Sequence, residues 1–488
     1  MPTPRRDSIR PGEHRSLVCV DTGTSLSERL LSDLEGLLAK TQRSGGRRLV
    51  SVTVPVELTD PAAVVFASRG ASDRWFCWEE PDRGFALAGV GSAAEVVSRD
   101  AKRFREVAVD CSRVLRDRLS SEPAQIPAGA GPVWAGGFAF DEGGGTEPQW
   151  SSLPPALMVL PEVSLAREDG RTLLTVAALL GPAEDPDTAL DRVRRRLASL
   201  RTVEALPMLD PAPSGDVRVA SVSDPGDYEV AVARAVERIS AGELDKVVLA
   251  REVRVEAARA HDPAALFGAL RQLFPSCFCF CVGTGEAAFL GASPELLIRR
   301  RGAGAQTVAL AGSTRRSADP AVDDHLGEQL RRSAKNRSEH EIVVRRIERA
   351  LRPYSVWVET GGEPELIRVA NIQHLATPIH AQLADPRSAI ELAGMLHPTP
   401  AVGGEPAAPA IEVIRELEAL DRGWYAGPVG WMDAVEDGEF CVALRSALLR
   451  DRTAHLFAGG GIVAGSDPAE ELAETELKLG ALLPLVAG

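Results

Sequence analysis

No apolar run in the 488-residue chain approaches the ~20 residues that a membrane-spanning helix needs. The opening residues Met1-Pro2-Thr3-Pro4-Arg5-Arg6 have no apolar core behind them, so they do not read as a signal peptide, and the expected compartment is the cytoplasm. Positive charge is scarce: 55 Lys and Arg stand against 69 Asp and Glu, a net charge of −14. That argues against a nucleic-acid-binding surface. It also means that an anionic substrate needs a local positive site or a bound metal. Seven cysteines in so long a chain do not make a disulfide framework. Cys277, Cys279 and Cys281 alternate with Phe278 and Phe280, which is strand periodicity with small apolar groups on one face. Adjacent strand positions rarely converge on one ion, so a metal cluster is disfavoured there. There is no His/Cys set at metal spacing, no nucleophile elbow and no visible internal repeat.

What is present is a globular composition, 44% apolar and 25% charged, long enough for two or three ordinary domains or one large one. Residues 1–15 are polar and expected to be loose. In the N-terminal half, 16–205, Leu49–Val54, Val64–Ala67, Arg74–Trp78, Gly131–Phe140, Ala156–Leu160 and Leu173–Leu180 read as strands. Ala101–Leu119 reads as a helix with Phe104, Val107, Cys111 and Val114 on one face, and Ala189–Leu200 as another. The Pro- and Asp-rich stretch 206–227 reads as a connector. Beyond it, in 228–485, Tyr228–Ala241 and Asp323–Leu351 read as helices, and Lys246–Ala250 and Phe280–Leu290 as strand-rich. Long helices between strands point to an α+β fold with helix-covered sheets.

Chemistry-bearing residues concentrate after the connector. The stretch from His455 to Leu479 reads as strand, glycine turn and helix, with Asp467 as N-cap, Pro468 in the first helical position and Glu470 completing a capping box. On that helix Glu471, Glu474 and Lys478 share one stripe. Such a stripe is ordinarily a solvated face with a Glu474–Lys478 ion pair; beside a glycine turn it could instead hold a divalent cation and an anion. Glu339 lies in line with the apolar stripe Val343, Ile347 and Leu351, where an unpaired buried charge would be costly. Either the stripe reaches solvent there, or Glu339 faces a cleft as a metal ligand meeting Glu474. Lys246 opens an apolar strand; a lysine there is usually solvated, but one facing a cleft could act as a general base. Glu295 sits in a tight turn after Ser293-Pro294, a rim position open to a general acid. Gly459-Gly460-Gly461 does not fit a dinucleotide site, because it lies too near residue 488 for a second strand and a ribose-binding acid to follow. His374, taken alone, is more often structural than catalytic.

Seven segments in this order resemble the chorismate-utilising enzymes: isochorismate synthase, salicylate synthase, anthranilate synthase component I and aminodeoxychorismate synthase component I. They are Lys246–Arg251, Gly291–Leu297, Leu310–Ser313, Glu339-His340-Glu341, His374–Pro378, His397-Pro398-Thr399-Pro400-Ala401 and Phe457–Val463. The resemblance covers residues 220–485 strongly and the N-terminal half in outline. It implies an anthranilate synthase component I-like fold, one large α+β domain of two stacked central sheets with helices outside, whose halves are not independent. It implies Mg²⁺ held by Glu339 and Glu474 with Glu471 close by, and the metal on the ring carboxylate of chorismate. Gly312 and Lys478 would hold the same end; Arg445 and the Gly459 backbone would take the enolpyruvyl carboxylate, with Tyr425 near, and His374 and Ala401 would complete the substrate site. Magnesium, an arginine and a lysine would answer the charge problem that a dianion poses to an acidic protein.

Within the family, relatives that use ammonia typically lack lysine at the position of Lys246, and aminodeoxychorismate synthases carry a reactive lysine where this chain has Ala311. The His397–Ala401 segment resembles isochorismate synthases more than salicylate synthases. The implied reaction is addition and elimination: Lys246 deprotonates a water that attacks C2, and Glu295 protonates the departing C4 hydroxyl. The product would feed menaquinone or a siderophore, with salicylate synthase as the nearest alternative and a non-catalytic chorismate-binding protein as the more distant one. Two departures stand out: Asn336 replaces an acidic residue common one turn before Glu339, which would weaken Mg²⁺ binding, and Gly403 stands where some relatives have serine. Chorismate is the expected partner, with no nucleic acid and no membrane, and a monomer or weak homodimer is the expected assembly.

Overall fold

The computed structural model describes residues 15–16, 26–41, 47–57, 60–181, 184–210, 215–369 and 372–488. Of the 1–15 stretch expected to be loose, all but Arg15 lies outside the described residues.

Two large sheets dominate. The first has 13 strands and the second 10. In the first, Lys246–Glu256 pairs antiparallel with Thr453–Ile462, and Phe278–Gly283 pairs with both Ala288–Ser293 and Trp75–Glu80. In the second, Gly304–Arg315 pairs with Ile372–Leu383, and Pro428–Asp433 pairs with Val133–Phe138. Each sheet is therefore stitched from both sides of the 206–227 stretch, and the two halves are not separable domains.

Side-chain alternation shows how the sheets are covered. Along the first sheet Phe76, Trp78, Phe280 and Phe289 face a core that also holds Trp134, Trp431 and Phe440 of the second sheet. The intervening Cys77, Cys279, Cys281 and Leu290 face the other way, into a second core shared with Leu266, Phe267 and Leu270 of the helix Pro263–Leu273. A sheet buried on both faces needs apolar residues at successive positions. The cysteine triplet is thus small core filling, and its thiols are pushed well above their ordinary range by burial.

Four sequence readings change. Val64–Ala67 is not a strand but part of the helix Pro61–Ser68. Asp60 caps it and Pro61 starts it, and its residues are buried all round, so no helical stripe was visible. The expected helix Asp323–Leu351 is two, Pro320–Arg332 and Ala334–Leu351, because Ser333 takes an extended conformation and caps the second through the Asn336 N–H. Gly459–Gly461 is not a turn; it lies within the strand Thr453–Ile462. The connector carries a strand, Arg218–Ser221, paired with Val253–Glu256, and the following helix starts at Pro225.

Because both sheets mix the two halves, urea unfolding followed by tryptophan fluorescence and by far-UV circular dichroism should give one coincident transition. Leu290→Ala, at a fully buried position facing the helix-covered core, should lower the unfolding free energy by about 2–5 kcal/mol. Two separated transitions would contradict the shared sheets.

Candidate active site

A cavity of about 800 Å³, its open mouth included, lies where the helix Pro468–Leu479, the glycine strand Thr453–Ile462 and the strand Gly304–Arg315 meet. Of the residues singled out from the sequence, Glu295, Gly312, Glu339, His374, Ala401, Tyr425, Arg445, Gly459, Glu474 and Lys478 all line it. Lys246 and Glu471 stand just behind the lining.

The glycines explain the crowding. Gly459 and Gly461 share one strand face and Gly460 the other. A Cβ on Gly461 would come within 2.4 Å of Glu339 Oε1 and 3.1 Å of the Lys246 Cε. A Cβ on Gly460 would meet the Glu471 carboxylate and the Tyr228 hydroxyl, each at 3.0 Å. A Cβ on Gly459 would press on the Leu249 carbonyl and the Tyr425 hydroxyl. The run is bare because side chains from five other parts of the chain, those of Tyr228, Lys246, Glu339, Tyr425 and Glu471, occupy the space beside it.

Lys246 is fully buried, and its Nζ lies 2.9 Å from Glu339 Oε1. The contact is an ion pair without good hydrogen-bond direction, so the ammonium protons lack a directed acceptor. The helix Ala334–Leu351 brings Glu339 in at the cavity wall, in line with buried Val343 and Ile347. On the helix Pro468–Leu479, Asp467 caps by accepting from the Ala469 and Glu470 N–H groups. One turn further, Glu474 Oε1 pairs with Lys478 Nζ at 2.7 Å and accepts from the Ser313 hydroxyl at 2.7 Å. Burial opposes ionisation of Glu474, but Lys478 and Ser313 more than offset it and hold its carboxyl below the usual range. Lys478 also donates to the Gly459 carbonyl. Glu471 is raised, by burial and by the neighbouring Glu474, and its Oε1 receives Lys335 Nζ at 2.9 Å. Among the described residues no three His, Cys, Asp or Glu side chains are grouped to hold a metal ion. Glu339 and Glu474 reach the cavity as a pair, with Glu471 one layer back.

The rest of the lining is different in kind. Glu295, in the turn between Ala288–Ser293 and Leu296–Arg301, is buried, and burial pushes its carboxyl up to about 8 although Lys246 pulls it down. Thr399 donates to Glu295 Oε1 at 3.5 Å, and Ser293 Oγ accepts the Glu295 N–H. Burial, with Arg445 and Lys478 nearby, lowers His374 to about 3, so the imidazole is neutral and its Nε2 accepts from Arg445 Nη2 at 2.9 Å. Arg445 itself has a left-handed backbone, φ 46°. Such strain in a non-glycine residue persists where the surroundings over-determine it. Its contacts are neutral groups, the His374 imidazole and the Cys277 thiol, so its charge stays available to a ligand. Gly312, φ 74°, marks a bulge between Ala311 and Ser313, and a Cβ there would touch Asn336. Tyr425 stacks on Phe457 with centroids 5.2 Å apart. Asn336, in place of the acid, is bound to the Ser333 hydroxyl.

Four contributors escaped the sequence reading. Ser313 and Thr399 lie inside quoted segments, so their position was visible but not their partners. Lys335 lies one turn before Glu339, a helical neighbour that the spacing could have flagged. Arg422, buried and ion-paired with Glu418, ties the Val248 and Val402 carbonyls together at the cavity wall.

With this geometry in place, comparison with known proteins is direct. The sequence profile of the family described as "Chorismate binding enzyme" matches residues 36–487. The chain belongs to the chorismate-binding enzyme family. It is 37% identical over 441 residues to the salicylate biosynthesis isochorismate synthase of Pseudomonas aeruginosa, covering 89% of each chain. It is 31% identical over 473 residues to the isochorismate synthase MenF of Bacillus subtilis, covering 95% of this chain and 99% of the relative. The solved structure of MenF, the menaquinone-specific isochorismate synthase of Escherichia coli, superposes with a TM-score of 0.76 at 26% identity, covering 93% of this chain and 99% of that one. Anthranilate synthase component I of Streptococcus pneumoniae shares the fold, with a TM-score of 0.63 at 21% identity over 83% of this chain and 93% of that one.

Gly461→Ala places a methyl where the Glu339 carboxylate now lies. The carboxylate is the end of a flexible side chain, so the protein should fold with little change in Tm. Displacing it should lower kcat/KM on chorismate by about 10²-fold or more. Full activity with an unchanged Tm would show that Glu339 has room that this geometry denies it.

Proposed function

We propose that the chain is an isochorismate synthase, an isomerase that converts chorismate to isochorismate by adding water at C2 and expelling the C4 hydroxyl. The observation that carries the reading is a pair of opposite character: a fully buried lysine, Lys246, and a buried carboxyl, Glu295, that stays protonated to about pH 8. A lysine and a protonated carboxyl facing one substrate can remove one proton and supply another without net change.

Lys246, as the base, takes a proton from water as the oxygen bonds to C2. The ring double bonds shift, and Glu295 gives its proton to the C4 oxygen, which leaves as water. Lys246 ends protonated and Glu295 ionised, and exchange with solvent restores both. Thr399 donates to Glu295, which is buried rather than at the rim expected from the sequence. Arg445, presented by its strained backbone and held only by neutral contacts, pairs with the enolpyruvyl carboxylate, with Tyr425 and the Gly459 backbone beside it. Lys478, Gly312, His374 and Ala401 frame the ring-carboxylate end.

The carboxylate oxygens of Glu339 and Glu474, the pair that reaches the cavity, fit a hard cation such as Mg²⁺ in chemical type, with Glu471 one layer back. Each is now met by an ammonium, so binding the ion requires those ion pairs to loosen. Bound there, Mg²⁺ would supply positive charge for the ring carboxylate of the substrate. Relatives named for both salicylate and menaquinone biosynthesis support a product destined for a siderophore or for menaquinone. No helix among the described residues is long and apolar enough to cross a membrane, consistent with the expected cytoplasmic setting.

Incubating the protein with chorismate and Mg²⁺ should yield isochorismate. Salicylate and pyruvate as main products would make it a salicylate synthase, and binding without turnover a non-catalytic chorismate-binding protein. Lys246→Ala and Glu295→Gln should each lower kcat by about 10²–10⁴-fold while chorismate binding stays measurable by calorimetry; normal turnover in either would remove that residue from the chemistry. Because Glu295 acts in its protonated form, kcat/KM should fall as pH rises through about 8. A flat profile from pH 7 to pH 10 would contradict its role as the acid. Glu474→Gln should sharply raise the Mg²⁺ concentration required, and an unchanged requirement would remove Glu474 from the metal site.

A further inference from the structure

Each carboxylate at the expected cation position has its own lysine. Glu339 faces Lys246 at 2.9 Å, Glu474 faces Lys478 at 2.7 Å, and Glu471 faces Lys335 at 2.9 Å. Two of these lysines have other work in the proposed reaction. Lys335 has none: it does not line the cavity. It lies in the first turn of the helix that restarts after Ser333, one turn before Glu339. The fields of Glu471, Glu474 and Glu339 all act on it.

The three ammonium groups differ in freedom. Lys246 is sealed in, and Lys478 is also tied to the Gly459 carbonyl. Lys335 keeps 34% of its side chain exposed, while the Glu471 side chain it covers keeps 2%. A lysine stem half in solvent can swing its ammonium outward at small cost. Glu471 cannot follow it. Without a cation that carboxylate would be buried, unpaired and next to Glu474, which is costly. The sequence around the contact fits this division, since Asn336 adds no charge of its own to the position beside Lys335.

We propose that Lys335 is a tethered counter-cation: it holds Glu471 while no metal is bound, opposes by its charge a divalent ion at the Glu339 and Glu474 pair one layer away, and withdraws to solvent when the ion enters. Lys335 is then a positioning residue that sets metal affinity and takes no part in proton transfer. The inference rests on the magnesium reading above.

Mn²⁺, whose binding is read directly by its electron paramagnetic resonance signal, tests it without reference to turnover. Titrations with and without chorismate should show Lys335→Met binding Mn²⁺ about five- to tenfold more tightly than the wild type. Lys335→Arg, which keeps the charge, should stay within about twofold of the wild type. General damage to the fold would weaken binding, so tighter binding is a result a merely structural role does not give. In the wild type itself, saturating Mg²⁺ should speed acylation of Lys335, followed by peptide mass spectrometry, by severalfold; this arm needs no variant to fold. Equal or weaker Mn²⁺ binding by Lys335→Met, or acylation that Mg²⁺ leaves unchanged or slows, overturns the inference while leaving the magnesium reading in place. A wild type that binds no Mn²⁺ even with chorismate overturns both.

Discussion

A carboxylate taken out of water must be paired or protonated, because its desolvation is not otherwise recovered. This protein uses both answers around one cavity. Glu339, Glu471 and Glu474 are each matched by an ammonium, and Glu295 is left without a close cation and keeps its proton. Much of the rest follows. The strand Lys246–Glu256 has to pair with the glycine strand so that Lys246 meets Glu339 beside Gly461. The helix break at Ser333 has to fall where it does, so that the first turns of the new helix present Lys335 to Glu471 and Glu339 to the cavity.

The glycine strand is where fold and site become one problem. Backbone that would ordinarily carry side chains is stripped to admit those of neighbouring elements, at a cost in local strand stability. Burial between two sheets, on residues such as Trp134, Trp431 and Phe440, supplies the rigidity that compensates. The left-handed backbone at Arg445 belongs to the same logic. Its guanidinium is delivered against an imidazole and a thiol, neither of which neutralises it.

Much of this was legible in the chain. Ten of the twelve residues expected at the site line one cavity, although only seven of the twelve fall inside the quoted segments and Tyr425, Arg445, Glu471, Glu474 and Lys478 lie outside them. What failed had a common cause. Val64–Ala67 was misread because a helix buried all round shows no helical stripe, and Asp323–Leu351 was joined because one serine can end a helix and begin the next without proline or glycine. The triple glycine was read as a turn because the groups that require its bareness come from Glu339, Glu471 and Tyr425, distant in sequence. The partners of Ser313, Thr399 and Lys335 are likewise tertiary facts.

The central claim is that an acid and a base in this cavity exchange a ring hydroxyl for one taken from solvent. A single-turnover reaction of chorismate with excess protein and Mg²⁺ in ¹⁸O-labelled water tests it most directly. The account predicts isochorismate with the label in its C2 hydroxyl and no pyruvate released. Unlabelled isochorismate, or chorismate recovered unchanged, would contradict it.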